Sequence, residues 1–514
     1  MYQPRSVVHR AKPGAVCGWA ALVLAGTVGL TQAVPLNLTV LESGLPVPCR
    51  VHMKDAAGKA VRAQGLPFWQ DHFVCTGVAE LDLAPGSYRY EIERGPEYLA
   101  TRGALTVDAN GRHGVTNQLR RLVDISKEGW WSGELHVHRP PKDIELLMQA
   151  EDLHVAPVIT WWNTRNLWRN QPLPPEPLVR FDGNRFYHLL GGEDERGGGA
   201  LLFFNLNRPL DITNAQREYP SPMKFLTEAH HQKGAWIDIE KPFWYDVPVW
   251  LASGMVDSIG IAHNHMQRGG VLANEAWGRA RDNQRFPDPL GNGFWTQEIY
   301  YHILNCGLRL PPSAGSASGV LPNPVGYDRL YVHLEGELTY EKWWEGLKAG
   351  RVFVSNGPLL RCRANGQLPG HVFKVVPGDN LKVQIEASLD SRDPVAALEI
   401  IQNGQVIHRV ADVSRTRSGS LGTLTFTQSG WFLVRAIADA PGTFRFASTG
   451  PFYIEASRAP RRISKASAQF FLDWVRERKE RIKLDDVAQR EEVLKYQGEA
   501  EQFWQEKLAQ ANAE

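Results

Sequence analysis

The spacing of apolar residues along the chain changes texture three times. From about residue 34 to 125 apolar and polar positions alternate: Ala79, Leu81 and Leu83 lie between polar neighbours, Pro85-Gly86 turns the chain, and Tyr88, Tyr90 and Ile92 alternate back. That period predicts a small β sandwich over residues 34–125. Between residues 129 and 358 short apolar strands are separated by helical stretches, the pattern of parallel β/α units and hence of a barrel. Strands are predicted at 135–137, 155–160, 186–190, 235–239, 258–262, 309–314 and 351–355. Helices are predicted at 144–153 behind Pro140-Pro141 and Asp143, at 223–233 between Ser221-Pro222 and Gly234, and at 296–306 ending at Gly307.

After Pro358 alternation returns in Leu381, Val383, Ile385 and Ala387, passes through a hairpin whose Asn403-Gly404 turn favours type I′ geometry, and resumes at 431–437. A second sandwich over 359–456 follows. From 464 to 514, Phe470, Trp474, Ile482, Val487, Leu494, Phe503, Trp504 and Leu508 recur at near-helical spacing among dense charges, which predicts two amphipathic helices docked on the protein's own body. The predicted fold class is multidomain α/β: a β/α barrel flanked by two β sandwiches, with a C-terminal helical segment. A length of 514 residues fits about three domains.

Charge removes some partners. With 57 Lys+Arg against 56 Asp+Glu and no basic block, neither nucleic acid nor an anionic membrane is expected to bind. At the N-terminus Arg5, Arg10 and Lys12 precede an uncharged stretch, 15–30, that ends in Thr31-Gln32-Ala33, so residues 1–33 read as an export signal and the mature chain as periplasmic or extracellular. No later segment is long enough to span a membrane. Loss of Cys17 with the signal leaves Cys49, Cys75, Cys306 and Cys362; export permits a disulfide, and Cys49 with Cys75 is the pair within one small domain. Their spacing matches no zinc motif.

The candidate chemistry lies in the middle region. His136-Val137-His138 sits on the first predicted barrel strand, where alternate residues face one side and both imidazoles can reach one ion. Sixteen His in 514 positions yield such a triplet about 0.5 times by chance, and His263-Asn264-His265 is another. Both triplets, however, fall at the carboxyl end of a predicted strand, the rim where barrels place their chemistry. Glu193 follows Gly191-Gly192, a pair suited to bending the backbone and aiming a carboxylate inward, although Asp194, Glu195 and Arg196 at once also suit a solvated turn. Glu240-Lys241-Pro242 closes another predicted strand. Many of the 17 Trp lie in the middle third, as core or as pocket wall.

The segments Trp131-Ser132-Gly133-Glu134-Leu135-His136-Val137-His138, Gly191-Gly192-Glu193, residues 301–311 and Gly350 to Pro358 resemble, in that order, the carbaryl-hydrolase-like (CehA/McbA) branch of the PHP metallohydrolases. The resemblance spans about 129–358. It implies a distorted seven-stranded β/α barrel, divalent ions such as zinc, manganese or iron, and hydrolysis of ester, carbamate or phosphoester bonds, with His136 and His138 as first-motif ligands and Glu193 as carboxylate ligand. The chain departs from the pattern where Thr-Asp-His-Asn becomes Thr160-Trp161-Trp162-Asn163, where His-Pro becomes Lys241-Pro242, and where Gly-Ser-Asp-x-His becomes Gly315-Ser316-Ala317-Ser318-Gly319. These losses leave ligands for one ion.

The expected centre is therefore one transition ion, zinc first, on His136, His138, Glu193 and His265, which activates a water against a small-molecule ester, carbamate, amide or phosphoester. Glu240 or Glu193 would take the water's proton, Lys241 or Arg196 would steady the developing oxyanion, and Trp161, Trp162, Asn163, Trp244 and Trp295 would wall the pocket. The rival is a non-catalytic barrel that stacks a sugar or aromatic ligand on the same indoles; a third is a structural envelope protein assembled through its sandwiches and terminal helices.

Overall fold

The computed structural model describes residues 33–514, apart from 112, 377, 378, 457, 458 and 460. The export segment expected over 1–33 lies, but for its last residue, outside the described residues. The N-terminal region is two sheets around one core. Val34–Glu42 pairs in parallel with His113–Gln118 and antiparallel with Val78–Leu83, while Cys49–Asp55 lies antiparallel between His72–Cys75 and Gly86–Glu93. Leu36, Leu38, Val51, Phe73, Leu81 and Ile92 fill the space between them. Cys49 and Cys75 face each other across this pairing as free, buried thiols, with Sγ atoms 3.7 Å apart.

The central region contains the strands β1 (Trp130–Gly133), β2 (Val155–Trp162), β3 (Arg185–Arg196), β4 (Gly199–Phe204), β5 (Trp236–Ile239), β6 (Ser258–His263) and β7 (Pro312–Gly315). β2 pairs in parallel with β3, β5 with β6, and β6 with β7; β4 runs antiparallel between β3 and β5. The extension of β1 through residues 134–138 hydrogen-bonds on both edges. Toward β2, Glu134 N donates to Val155 O (3.0 Å) and Ile159 N to Val137 O (2.8 Å); toward β7 and beyond, Leu135 N donates to Ala314 O (2.9 Å) and His138 N to Ser318 O (2.8 Å). Backbone pairing that leaves this segment through β2 thus returns to it from β7.

Several strands differ from expectation. The predicted strand at 351–355 exists as Val352–Ser355, but it lies outside that circuit, paired antiparallel with Arg329–His333 and with Phe446–Thr449 of the C-terminal sheets. The unpredicted β4 takes its place: its Leu201-Leu202-Phe203-Phe204 run is wholly buried and directly follows the charged residues 193–196, which resemble a turn. β3 also runs on to Arg196, through Gly191-Gly192, instead of stopping at 190. There the glycines make room rather than a bend, because a Cβ on Gly192 would fall 1.8 Å from the Trp161 indole.

The C-terminal sheets enclose a separate core of residues such as Leu360, Val383, Ile385, Ile400, Phe432 and Phe452. Asn403 and Gly404 both have positive φ (51° and 88°), as a type I′ turn requires. Charges bind the regions together: Glu93 of the N-terminal sheets contacts Arg268 (3.2 Å) of the central region and Arg392 (3.0 Å) of the C-terminal sheets. Two final helices, α1 (Lys465–Arg481) and α2 (Val487–Ala509), pack on the central region as expected. Trp504 Nε1 donates to Pro248 O (3.0 Å) over a Phe471 ring stacked at 4.5 Å, and Arg478 pairs with Asp246 at 2.7 Å. Among the described residues no helix is long and apolar enough to cross a membrane.

Because the Trp504 indole is fully buried, Trp504→Ala should cost about 3–5 kcal/mol. Urea unfolding followed by tryptophan fluorescence should show the first transition at clearly lower urea than in the parent chain; an unchanged midpoint would show that the helices are not docked.

Candidate metal centre

Alternation along the extension of β1 turns His136 and His138 to one side, and the neighbouring strands supply what meets them. Glu193 lies near the carboxyl end of β3, Glu240 just past β5, His263 at the end of β6 and Gly315 at the end of β7. All are carboxyl ends of strands that pair in parallel, so one rim collects them. The glycines of β7 and its loop allow the close fit: a Cβ on Gly315 would stand 2.3 Å from His136 Cβ, and one on Gly319, at φ +103°, 2.6 Å from His138 O.

Three atoms converge at this rim. His136 Nε2 is 3.0 Å from His138 Nε2 and 3.5 Å from Glu193 Oε2, which in turn is 3.0 Å from His138 Nε2. Their side chains are 3–8 % exposed. Ligands bound tetrahedrally at about 2.0–2.1 Å from zinc stand about 3.3–3.4 Å from one another, so these three edges match one face of such a polyhedron. Glu193 Oε2 makes no well-directed hydrogen bond, although both imidazole nitrogens stand beside it. A buried carboxylate oxygen without a partner costs about 1–3 kcal/mol or more, a cost that a shared cation removes. The set fits a divalent transition ion on two imidazoles and one carboxylate, and among the described residues it is one of two such groups.

Behind the triad stands a second layer. His136 Nδ1 lies 3.2 Å from Glu240 Oε1, in ion-pair range though off the hydrogen-bonding direction. The other oxygen, Glu240 Oε2, takes the Lys241 ammonium and Trp244 Nε1 (2.9 Å), and the ammonium also sits 4.6 Å over the Trp244 ring. A carboxylate on the far nitrogen fixes which ring nitrogen faces the ion. Burial opposes charge on His136, but Glu193 and Glu240 overcome it and raise its pKa to about 10. His138, where burial dominates, is lowered. Burial also raises Glu195 to about 7, with Glu193 adding to it; its Oε2 accepts from Trp162 Nε1 at 3.2 Å.

The other predicted residues separate into two groups. At the rim, Trp162 tilts against His138 with ring centroids 4.9 Å apart, Asn163 Oδ1 accepts from Glu195 N (2.9 Å), and Trp244 braces Glu240. Away from it, Trp161 is core, stacked on Phe203, and Trp295 is core between Phe286 and Phe470 with its Nε1 on Arg279 O. Arg196 is spent elsewhere: it pairs with Asp194 and donates to Gln216 O and Pro220 O, on the strand face opposite Glu193. His265 does not join the three-atom group; it is buried against Phe243 beside His263, with Nδ1 unpartnered. Sequence reasoning missed Glu195. Its signal was the spacing, two residues beyond Glu193 on a strand that continues.

Comparison of the chain with protein-family models, with curated proteins and with solved structures finds no match.

Two outcomes are expected. Zinc must displace the proton that Glu193 and Glu240 hold on His136, so affinity for Zn²⁺ should climb as pH rises toward about 10, with proton release visible in calorimetry across buffers of different ionisation enthalpy. A pH-independent affinity between about pH 6 and 8 would contradict it. Gly315→Ala, which drives a methyl into His136, should weaken zinc binding about tenfold or more while the circular dichroism spectrum stays that of the parent.

Proposed function

We propose that the chain is an exported metal-dependent hydrolase, built on a distorted seven-stranded β/α barrel of the PHP type, with a single transition ion on His136, His138 and Glu193. The barrel reading rests on the backbone pairing that leaves residues 134–138 through β2 and returns from β7. The hydrolase reading rests on one observation above the others: three buried ligand atoms within 3.5 Å of one another at the carboxyl rim, one of them a carboxylate oxygen with no well-directed hydrogen bond. The departures from the family pattern fit one ion. Trp161 is core where the family has a polar group, and Ala317 and Gly319 offer no ligand.

A bound divalent ion supplies Lewis acidity toward a water and toward a carbonyl or phosphoryl oxygen. The protein supplies the rest. Glu240 holds His136 in orientation, while Lys241 balances the carboxylates' charge; both are engaged in these contacts and so act by positioning. Glu195, raised to about 7 and steadied by Trp162, is the group suited to take a proton from the attacking water near neutral pH and return it to the leaving group. The Trp162 face beside His138 forms a wall against which an apolar part of a small ester, carbamate, amide or phosphoester packs.

The purified chain should carry zinc, manganese or iron. It should hydrolyse members of a panel of aryl esters, carbamates and phosphoesters. Glu195→Gln should lower kcat about 10²–10⁴-fold with metal content unchanged, whereas Glu240→Gln should weaken metal binding about 10–100-fold. Metal bound in the parent chain with Glu195→Gln as active as the parent would remove Glu195 from the chemistry. No transition metal in the parent, together with sugar or aromatic ligands that quench Trp162 fluorescence, would favour the non-catalytic binding barrel.

A further inference from the structure

A second group of ligand-bearing side chains lies in the N-terminal sheets, away from the rim. The short hairpin formed by Phe68–Trp69 and His72–Cys75 turns through Gln70, at φ 51°, and Asp71. The turn brings Asp71 over the neighbouring strand Cys49–Asp55. Asp71 Oδ1 stands 3.2 Å from His52 Nδ1 and 3.2 Å from His72 Nδ1, and the two imidazole centroids are 5.1 Å apart. Both rings are almost fully buried, while the Asp71 side chain is 38 % exposed. The two oxygen–nitrogen edges are close to the tetrahedral spacing of about 3.3–3.4 Å for zinc ligands, and the three ligand atoms all lie within 4.8 Å of one another.

Hydrogen bonding alone leaves part of this arrangement unexplained. His72 Nδ1 bonds to Asp71 in ordinary geometry, but His52 Nδ1 is buried, lies 3.2 Å from the same oxygen off the hydrogen-bonding direction, and makes no hydrogen bond. On the far side of that ring, Nε2 accepts from Arg50 Nε at 3.0 Å and lies 3.6 Å from Glu93 Oε2. A cation on Nδ1 would send the ring proton to Nε2, which would then give up the Arg50 Nε bond and face Glu93 Oε2 at 3.6 Å, an ion-pair contact longer than a hydrogen bond. Arg50 then keeps its other pairs, to Glu93 and Glu151. A surface cavity of about 600 Å³, bordered by His52, Asp71, Lys54, Glu91 and Arg268, gives an ion a way in and leaves a coordination position for water.

We infer that His52, Asp71 and His72 form a second site for a divalent transition ion, independent of the rim and structural in role. Two nitrogens and one carboxylate select zinc, or copper and nickel, over calcium and magnesium. Its placement gives it a task. The hairpin it pins touches two segments at the rim: Trp69 Nε1 donates to Leu321 O at 2.7 Å in the loop after β7, and the guanidinium of Arg139, the residue after His138, lies 5.5 Å over the Trp69 ring. An ion here joins two strands of the N-terminal sheets and stiffens the surface against which the metal-bearing segment rests.

The test uses the full chain, stripped with a chelator and titrated with Zn²⁺ alone by calorimetry and equilibrium dialysis. The parent should bind about two equivalents and His136→Ala about one; adding Asp71→Asn to His136→Ala should weaken the remaining class at least about tenfold. Asp71 is partly exposed, so Asn should preserve the fold, which circular dichroism checks. His72→Gln should act as Asp71→Asn does, and Zn²⁺ should raise the thermal midpoint of His136→Ala but not of the double variant. If His136→Ala binds as much zinc as the parent while Asp71→Asn still removes one equivalent, the rim proposal fails and this one stands. Undiminished zinc binding in both Asp71→Asn and His72→Gln overturns the second site.

Discussion

Everything at the rim follows from the cost of burying a carboxylate oxygen against two imidazole nitrogens. Glu193 Oε2, His136 Nε2 and His138 Nε2 offer lone pairs to one small volume, and water is largely excluded from it. Such a volume demands positive charge. Without an ion the protein supplies it as a proton on His136, held by Glu193 and Glu240 well above the usual imidazole range. With an ion, the same geometry becomes three edges of a coordination polyhedron and the proton leaves.

The surrounding fold serves that arrangement by contact and by rigidity. Glycines at 192, 315 and 319 are where backbone and ring approach too closely for any Cβ, and they let Trp161, His136 and His138 pack against neighbouring strands. Lys241 and Trp244 hold Glu240 behind His136, so the ring is oriented before any ligand arrives. Further out, the charged joints of Glu93 with Arg268 and Arg392, and the docking of Trp504 on Pro248, keep the flanking regions fixed to the central one. Buried polar atoms without a hydrogen-bond partner occur in all the regions; what sets Glu193 Oε2 and His52 Nδ1 apart is that each lies beside further ligand atoms able to share one ion.

Much of this was legible in the sequence, and the failures have physical causes. Period-two alternation and turn residues gave both sets of flanking sheets, and the alternation rule was enough to place His136 and His138 side by side. β4 was hidden because a fully buried strand has no alternation to read, and the charged run before it looks solvated; Arg196 and Asp194 in fact satisfy each other inside the protein. Glu195 was lost with the same run. His265 carried a promising motif, but spacing along one strand says nothing of whether its ring reaches across the rim. The His52, Asp71 and His72 group joins residues from two strands and a turn, a proximity that exists only once β pairing sets the register.

The proposed centre holds one transition ion on these three side chains at the rim. Crystals of the full chain grown with zinc, with diffraction recorded above and below the zinc absorption edge, test it most directly. An anomalous difference peak is expected about 2.0–2.2 Å from His136 Nε2, His138 Nε2 and a Glu193 oxygen. An ordered rim with the three side chains in place and no anomalous density among them would contradict it.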